Sequence, residues 1–318
     1  MAPKVTVARV LLPAGLELLE ESYEVFQGGL GCTRDELLAM VPGSRALIAD
    51  PTVPVDAEVI AAAGEGLRVI ANFAVGYDNV DLAAAEAAAV VVTNTPDVLT
   101  DATAELAAGL AFAAARGIPE RERILRDGGW TGWDPGGFRG IELSGSTIGV
   151  VGMGRIGTRF AEIMAGTSGR IVYWSRSRKP GPEAELGAEW MELDELLGCS
   201  DLVSIHLAAT ESNRHLFDAT RIATMKQGAI LVNTARGSLV DARAVADALG
   251  SGRLGAVGLD VFEDEPEVPA CLLEAPNAVL TPHIGSATFR ARDEMARTAA
   301  RNVIAVLEGG TPPNPVAL

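Results

Sequence analysis

Ile148-Gly-Val-Val-Gly152-Met-Gly154-Arg155-Ile156-Gly157 is the stretch that decides the fold. Ile148 to Val151 reads as a buried strand, and Arg155 to Ala165 reads as the helix that follows it. Between them three glycines stand in the G-x-G-x-x-G spacing. In a strand–turn–helix context that spacing cradles a dinucleotide pyrophosphate. The first glycine allows the tight turn, the second admits the phosphates to the backbone, and the third lets helix and strand pack closely. The helix N-terminus then faces the phosphate charge.

Working outward, the same rhythm repeats. Downstream strands are expected at Arg170–Trp174, Leu202–Leu207, Ala229–Asn233, Ala256–Asp260 and Ala278–Leu280, with a helix at Ala242–Leu249. Upstream, Val5–Val10, Ala46–Ala49, Arg68–Asn72 and Val90–Thr93 read as strands, and Asp56–Ala63 and Asp81–Ala89 as helices. Such alternation argues for parallel sheets. An Ala-rich helix from about Asp101 to Arg116, capped by Thr100 or Asp101, carries apolar residues almost all round and should be buried. Gly128 to Leu143 is irregular. A last helix, from about Ser286 to Leu307, is long enough to return to the first domain. The expectation is therefore a discontinuous substrate-binding domain, 1–99 plus 286–318, with a dinucleotide-binding domain, 100–285, inserted in it.

Three further signals follow the glycine turn: NTARG with Arg236, DVFEDEP with Asp260 and Glu265, and TPHIGSAT with His283. Reducing a 2-keto acid requires a hold on its carboxylate, polarisation of its carbonyl and a proton for the oxygen. An arginine fork supplies the first two. A histidine titrates near neutrality, and a carboxylate beside it favours the charged form and orients the ring. Alone, His283 would read as a helix cap and Glu265 as one more charge in an acidic loop. The small residues around Arg236 read as a loop that approaches a ligand closely. His206 and His215 read as structural.

After the strand ending at Trp174, an NAD enzyme usually places an acid for the ribose hydroxyls. This chain has Ser175-Arg176-Ser177-Arg178-Lys179 instead. A guanidinium there suits the 2′-phosphate of NADP, so NADP is the expected preference, with NAD as the lesser cofactor.

NFAVGYDNVD from Asn72, VTNTPDVLTDATAEL from Val92, GMGRIG, YWSRSRK, NTARGSLVD, GLDVFEDEP and TPHIGSAT together resemble the D-isomer-specific 2-hydroxyacid dehydrogenase family over nearly the whole chain. Within it the likeness is greatest to glyoxylate/hydroxypyruvate reductases. The resemblance implies an α/β fold of two Rossmann-like doubly wound parallel-sheet domains, with the active site in the cleft between them and closure excluding water. It implies that Arg236, Glu265 and His283 are catalytic and that the Val75 and Gly76 N–H groups hold the substrate carboxylate. It implies that Thr103, Gly152, Gly154, Arg155, Ile156, Gly157, Ala235, Asp260 and Gly285 line the cofactor, with Asp260 near the nicotinamide. It implies a homodimer in which Trp133 of GGWTGW reaches the partner's pocket, where ordinary interface packing is the other reading. One departure stands out: the family often reads H-x-P-L-T where this chain has His206-Leu-Ala-Ala-Thr210, which bears on loop rigidity near the adenine side.

Composition narrows the alternatives. The 318 residues are 48% hydrophobic and 21% charged, with a formal net charge of −16, which on average repels nucleic acid and anionic membranes. No run of apolar residues is long enough for a transmembrane helix. Cys32, Cys199 and Cys271 form no metal-ligand spacing, and a reducing, cytoplasmic setting is expected. The competing readings are a 2-ketogluconate reductase, a phosphoglycerate dehydrogenase, which needs extra cations for its phosphate, and a nucleotide-sensing corepressor that keeps the same triad.

Overall fold

The computed structural model describes residues 2–317. The chain divides into two compact units, Met1–Leu99 with Ser286–Leu318, and Thr100–Gly285.

In the first unit β1 (Lys4–Val7), α1 (Pro13–Glu20), β2 (Glu24–Gln27), α2 (Arg34–Met40), β3 (Ala46–Ala49), α3 (Ala57–Ala63), β4 (Val69–Asn72), α4 (Leu82–Ala87) and β5 (Val91–Thr93) alternate. The strands form one parallel sheet in the order β2-β1-β3-β4-β5. β3 and β4 are buried along their whole length, as strands covered on both faces must be. Asp56 and Asp81 cap α3 and α4 through their side chains, and Thr33 and Glu36 form a capping box on α2. The order reverses at β1, which sets a switch point at the carboxyl ends of the strands.

The second unit opens with α5 (Thr100–Arg116) and α6 (Ile118–Arg126). Then come β6 (Thr147–Val151), α7 (Arg155–Ala165), β7 (Arg170–Trp174), α8 (Pro180–Leu186), β8 (Glu189–Trp190), α9 (Leu193–Cys199), β9 (Leu202–Ile205), α10 (Ala219–Thr224), β10 (Ala229–Asn233), α11 (Ala242–Gly250), β11 (Leu254–Leu259), α12 (Ala270–Leu273) and β12 (Ala278–Leu280). Its parallel sheet runs β12-β11-β10-β9-β6-β7-β8. β6 is central, with β7 on one side and β9 on the other, so this sheet also reverses there. The last helix, α13 (Phe289–Leu307), packs on α1 and β4 of the first unit.

Both units are thus doubly wound parallel α/β layers, and the glycine turn lies at the reversal of the second. Several boundaries differ from the sequence reading. β1 ends at Val7 and β9 at Ile205, because the chain then leaves the ladder for loops. α13 begins at Phe289, where Thr288 Oγ accepts from the Ala291 N–H. Thr100 is the first helical residue of α5, so neither it nor Asp101 stands before the helix. Nor is α5 buried all round: Glu105 and Phe112 are exposed. Elements α1, β2, α2, α6, α8, β8, α9, α10 and α12 had no sequence reading. Most are short or polar, and their periodicity is weak.

Candidate active site

The glycine turn, Arg236, Asp260 and His283 follow the carboxyl ends of β6, β10, β11 and β12. At the end of β6, Gly152 takes φ +104°, and a Cβ there would lie 2.6 Å from the His206 carbonyl oxygen. At Gly157 a Cβ would meet the Gly152 carbonyl at 2.0 Å, so this position closes α7 onto the turn. A Cβ at Gly154 would meet nothing within 4 Å. Gly154 is also the N-cap of α7 and offers no side chain to its first N–H groups. An open approach to bare amides at the start of an 11-residue helix fits a dinucleotide phosphate. Arg155 is exposed and Ile156 half-buried on that first turn.

The loop after β7 is pinned at three points. Trp190 Nε1 donates to Ser175 O at 3.1 Å, Ser175 Oγ to Ser177 O at 2.6 Å, and Lys179 N–H to the Tyr173 hydroxyl at 2.6 Å. Arg178 is committed to Glu183 by two bonds, at 2.9 and 3.0 Å. Arg176 is exposed and has no partner among the described residues.

The loop after β10 carries Arg236. Buried Asn233 ties it, accepting from the Ala235 N–H at 2.9 Å and donating to Arg236 O at 2.8 Å. Gly237 is small for a reason other than ligand approach: a Cβ there would lie 2.0 Å from the Phe262 carbonyl carbon. The expectation that small residues flank Arg236 to admit a ligand is corrected at this position, since Gly237 is needed for contact with the DVFEDEP segment.

That segment and the TPHIGSAT turn are joined by Asp260, which is buried at the end of β11. Its carboxylate accepts from Thr281 Oγ1 at 2.6 Å and from the Ile284 and Gly285 N–H groups at 2.8 Å each. Burial raises its pKa above the ordinary aspartate value, with these bonds opposing. Thr103 Oγ1 donates to Gly285 O at 3.2 Å. The turn so held places His283 at φ +52°. His283 Nδ1 lies 2.6 Å from Glu265 Oε2, and Glu265 Oε1 accepts from the Phe262 N–H at 3.0 Å. Burial pushes the Glu265 carboxyl up, but the His283 and Phe262 bonds and the Arg236 charge outweigh it and hold it below the usual glutamate range. An ionised carboxylate only accepts, so Nδ1 is the donor. His283 Nε2 has no partner among the described residues, and the side chain is 31% exposed.

The second unit therefore brings Arg236, Asp260, Glu265, His283 and Gly285 together, with Thr103 beside them. His206 and His215 lie apart from this pair. His206 bonds Ser204 at 2.9 Å, and its ring lies tilted against that of Phe160; desolvation of the ring pushes its pKa down to about 3, although the residue as a whole is only half-buried. His215 bonds Glu263 at 2.8 Å, and Arg214 pairs with the same carboxylate. In the first unit Val75 and Gly76 stand in the loop after β4, and neither N–H has a partner among the described residues. Trp133 is 84% exposed in the irregular segment before β6. Sequence reasoning missed Asn233 and Thr281, whose only signal is a short polar side chain at a strand end. No described helix is long and apolar enough to cross a membrane. The described residues hold no group of three or more His, Cys, Asp or Glu placed for a metal ion.

A doubly wound unit with a glycine turn, and a His–Glu pair beside an arginine, defines a dinucleotide-dependent oxidoreductase. Residues 108–285 match the family described as D-isomer specific 2-hydroxyacid dehydrogenase, NAD binding domain. The glyoxylate reductase of Thermococcus litoralis is 43% identical over 320 residues, covering 99% of this chain and 96% of its own. That of Aeropyrum pernix is 45% identical over 319 residues, covering 98% and 95%. Among solved structures, a glyoxylate reductase from Paecilomyes thermophila matches with TM-score 0.89 and 33% identity, covering 99% of this chain and 98% of that one. The NADPH-dependent glyoxylate/hydroxypyruvate reductase of Sinorhizobium meliloti, solved with NADP and malonate, matches with TM-score 0.88 and 32% identity, covering 100% and 97%. This chain belongs to the D-isomer specific 2-hydroxyacid dehydrogenase family. It is an enzyme of the glyoxylate reductase-like kind within that family.

Proposed function

We propose that the protein reduces glyoxylate to glycolate and hydroxypyruvate to D-glycerate, with NADPH preferred over NADH. The observation that carries this reading is the 2.6 Å bond between His283 Nδ1 and Glu265, which leaves Nε2 free to act. NADPH, when bound, supplies the hydride to C2 of the keto acid. His283 Nε2–H donates the proton that the carbonyl oxygen needs as it becomes a hydroxyl. Glu265 accepts from Nδ1–H and orients the ring. Arg236 holds the carboxylate and polarises the carbonyl. The unpartnered N–H groups of Val75 and Gly76 are further donors for the carboxylate. Gly152, Gly154 and Gly157 hold the pyrophosphate on the first turn of α7, with Arg155 and Ile156. Ser175, Arg176 and Ser177 would take the 2′-phosphate, and Thr103, Ala235, Asp260 and Gly285 would line the cofactor, with Asp260 near the nicotinamide. The phosphate role for Arg176 is supported by its isolation, since its neighbour Arg178 is already paired with Glu183.

A homodimer is part of the same reading. Phe112, Ile118, Leu125, Trp130, Trp133 and Phe138 all expose large apolar area within one stretch of the second unit. Such a concentration marks an interface. A dinucleotide-sensing binding protein would keep this geometry without turnover.

The test is oxidation of NADPH and NADH, side by side, with glyoxylate, hydroxypyruvate, pyruvate and 2-ketogluconate, for the wild type and Arg176→Asp. Fast NADPH oxidation with the first two substrates is expected, and Arg176→Asp should lose the preference for NADPH. NADH turnover alone, or an Arg176→Asp variant with unchanged preference, would remove the NADPH claim. No turnover with any of the four would favour the binding-protein reading.

A further inference from the structure

Three consecutive carbonyls in the loop after β4 are each held by a donor. The Thr95 N–H donates to Ala74 O at 2.9 Å. Asn94 Nδ2 donates to Val75 O at 2.8 Å, and Asn72 Nδ2 to Gly76 O at 2.7 Å. Across a trans peptide the carbonyl and the following N–H point in opposite directions. Holding the Ala74 carbonyl therefore fixes the Val75 N–H. Holding the Val75 carbonyl fixes the Gly76 N–H, and holding the Gly76 carbonyl fixes the Tyr77 N–H. None of these three N–H groups has a partner among the described residues.

The two asparagines are themselves held. Asn72 is fully buried at the end of β4 and exchanges two 3.0 Å bonds with Asn79. Asn79 Nδ2 also reaches Asp50 O and Val53 O, each at 3.0 Å. The Asn94 carbonyl accepts from Asn302 of α13 at 3.1 Å. The carbonyls of Ala74, Val75 and Gly76 are thus all held, and the N–H groups of Val75, Gly76 and Tyr77 are left over among the described residues.

We propose that Asn94 and Asn72 are positioning residues for the substrate carboxylate, and that the Tyr77 N–H is a third donor beside those of Val75 and Gly76. This rests on the reading above that the loop binds the carboxylate. Asn94 acts through the Gly76 amide and Asn72 through the Tyr77 amide. Donors aimed in advance need no ordering when the anion arrives, so losing the hold weakens binding rather than chemistry.

The experiment compares glyoxylate with its methyl ester, which keeps the aldehyde and lacks the charge, in the full-length protein and Asn94→Ala. For glyoxylate KM should rise about tenfold, the size of one lost charge-assisted hydrogen bond, with kcat changing less than about threefold. For the ester kcat/KM should change by less than about twofold, and NADPH affinity should stay the same. An equal loss with both substrates, or an unchanged glyoxylate KM, would overturn the proposal. Asn94→Ser serves the same comparison if Asn94→Ala does not fold. Gly76→Pro removes one amide outright. A glyoxylate KM unmoved by Gly76→Pro would sink the underlying reading together with the proposal. A KM raised by Gly76→Pro but not by Asn94→Ala would overturn the proposal alone.

Discussion

In the proposed reaction His283 acts through what its two nitrogens meet. Nδ1 is committed to Glu265 at 2.6 Å and Nε2 is left unpartnered. His283→Ala should therefore lower kcat by roughly 10²- to 10⁴-fold, the usual worth of a placed proton donor. Arg236→Ala should chiefly raise KM and lower kcat/KM, and steady-state kinetics of both variants separates the two roles. His206 makes a different kind of prediction. Its folded pKa, about 3, lies well below that of an exposed histidine. Between about pH 6.5 and pH 3 the unfolded chain therefore binds the extra proton, and stability falls as pH falls, by up to about 1.4 kcal/mol per pH unit. Above that window the group contributes its full share. His206→Gln should flatten this part of the stability curve, measured by denaturant unfolding between pH 7 and about pH 4. A slope equal to that of the wild type would show that the ring is not desolvated.

At the scale of elements, the glycine turn and α7 act as one device with separable parts. Gly157→Ala would drive a Cβ to 2.0 Å from the Gly152 carbonyl, so helix and strand must part. Its melting temperature should drop by several degrees or the variant should fail to fold, since backbone rather than a flexible side chain is in the way. Gly154→Ala meets open space and should fold normally. NADPH titration should nonetheless show it binding about tenfold or more weakly, because the methyl occupies the approach to the α7 amides. Normal NADPH affinity in Gly154→Ala would mean that the phosphates lie elsewhere. The loop from Ser175 to Lys179 is a second device. Three bonds fix its course, Arg178 pairs with Glu183 and Arg176 is exposed.

For the molecule as a whole, the exposed apolar side chains between Phe112 and Phe138 contrast with a chain whose net charge is −16. Charge of one sign keeps protomers apart, so association has to come from a local apolar area. The wild type should sediment at twice the chain mass. Ile118→Glu with Leu125→Glu, both on exposed positions of α6, should yield monomers that remain folded by circular dichroism. A wild type that sediments as a monomer would refute the dimer.

The parallel α/β architecture was legible because strand and helix periodicity and turn chemistry are properties of near neighbours. Arg155–Ala165, Arg170–Trp174, Ala229–Asn233 and Ala278–Leu280 are bounded in the structure as the sequence reads them. The order of Arg236, Glu265 and His283 was likewise visible, since each sits in a short motif. What each polar side chain meets was not. Thr281, Ile284 and Gly285 converge on Asp260 across more than 20 positions, and Asn302 reaches Asn94 across 208. Gly237 looked like an opening for a ligand and is instead the contact surface for Phe262. By itself the sequence determined which segments become strands and helices and which chemical groups stand at their ends. Only the tertiary structure decided which of those groups are consumed by one another and which, like His283 Nε2 and the amides after β4, are left over, because hydrogen-bond partners distant in the chain become neighbours only once the sheets have formed.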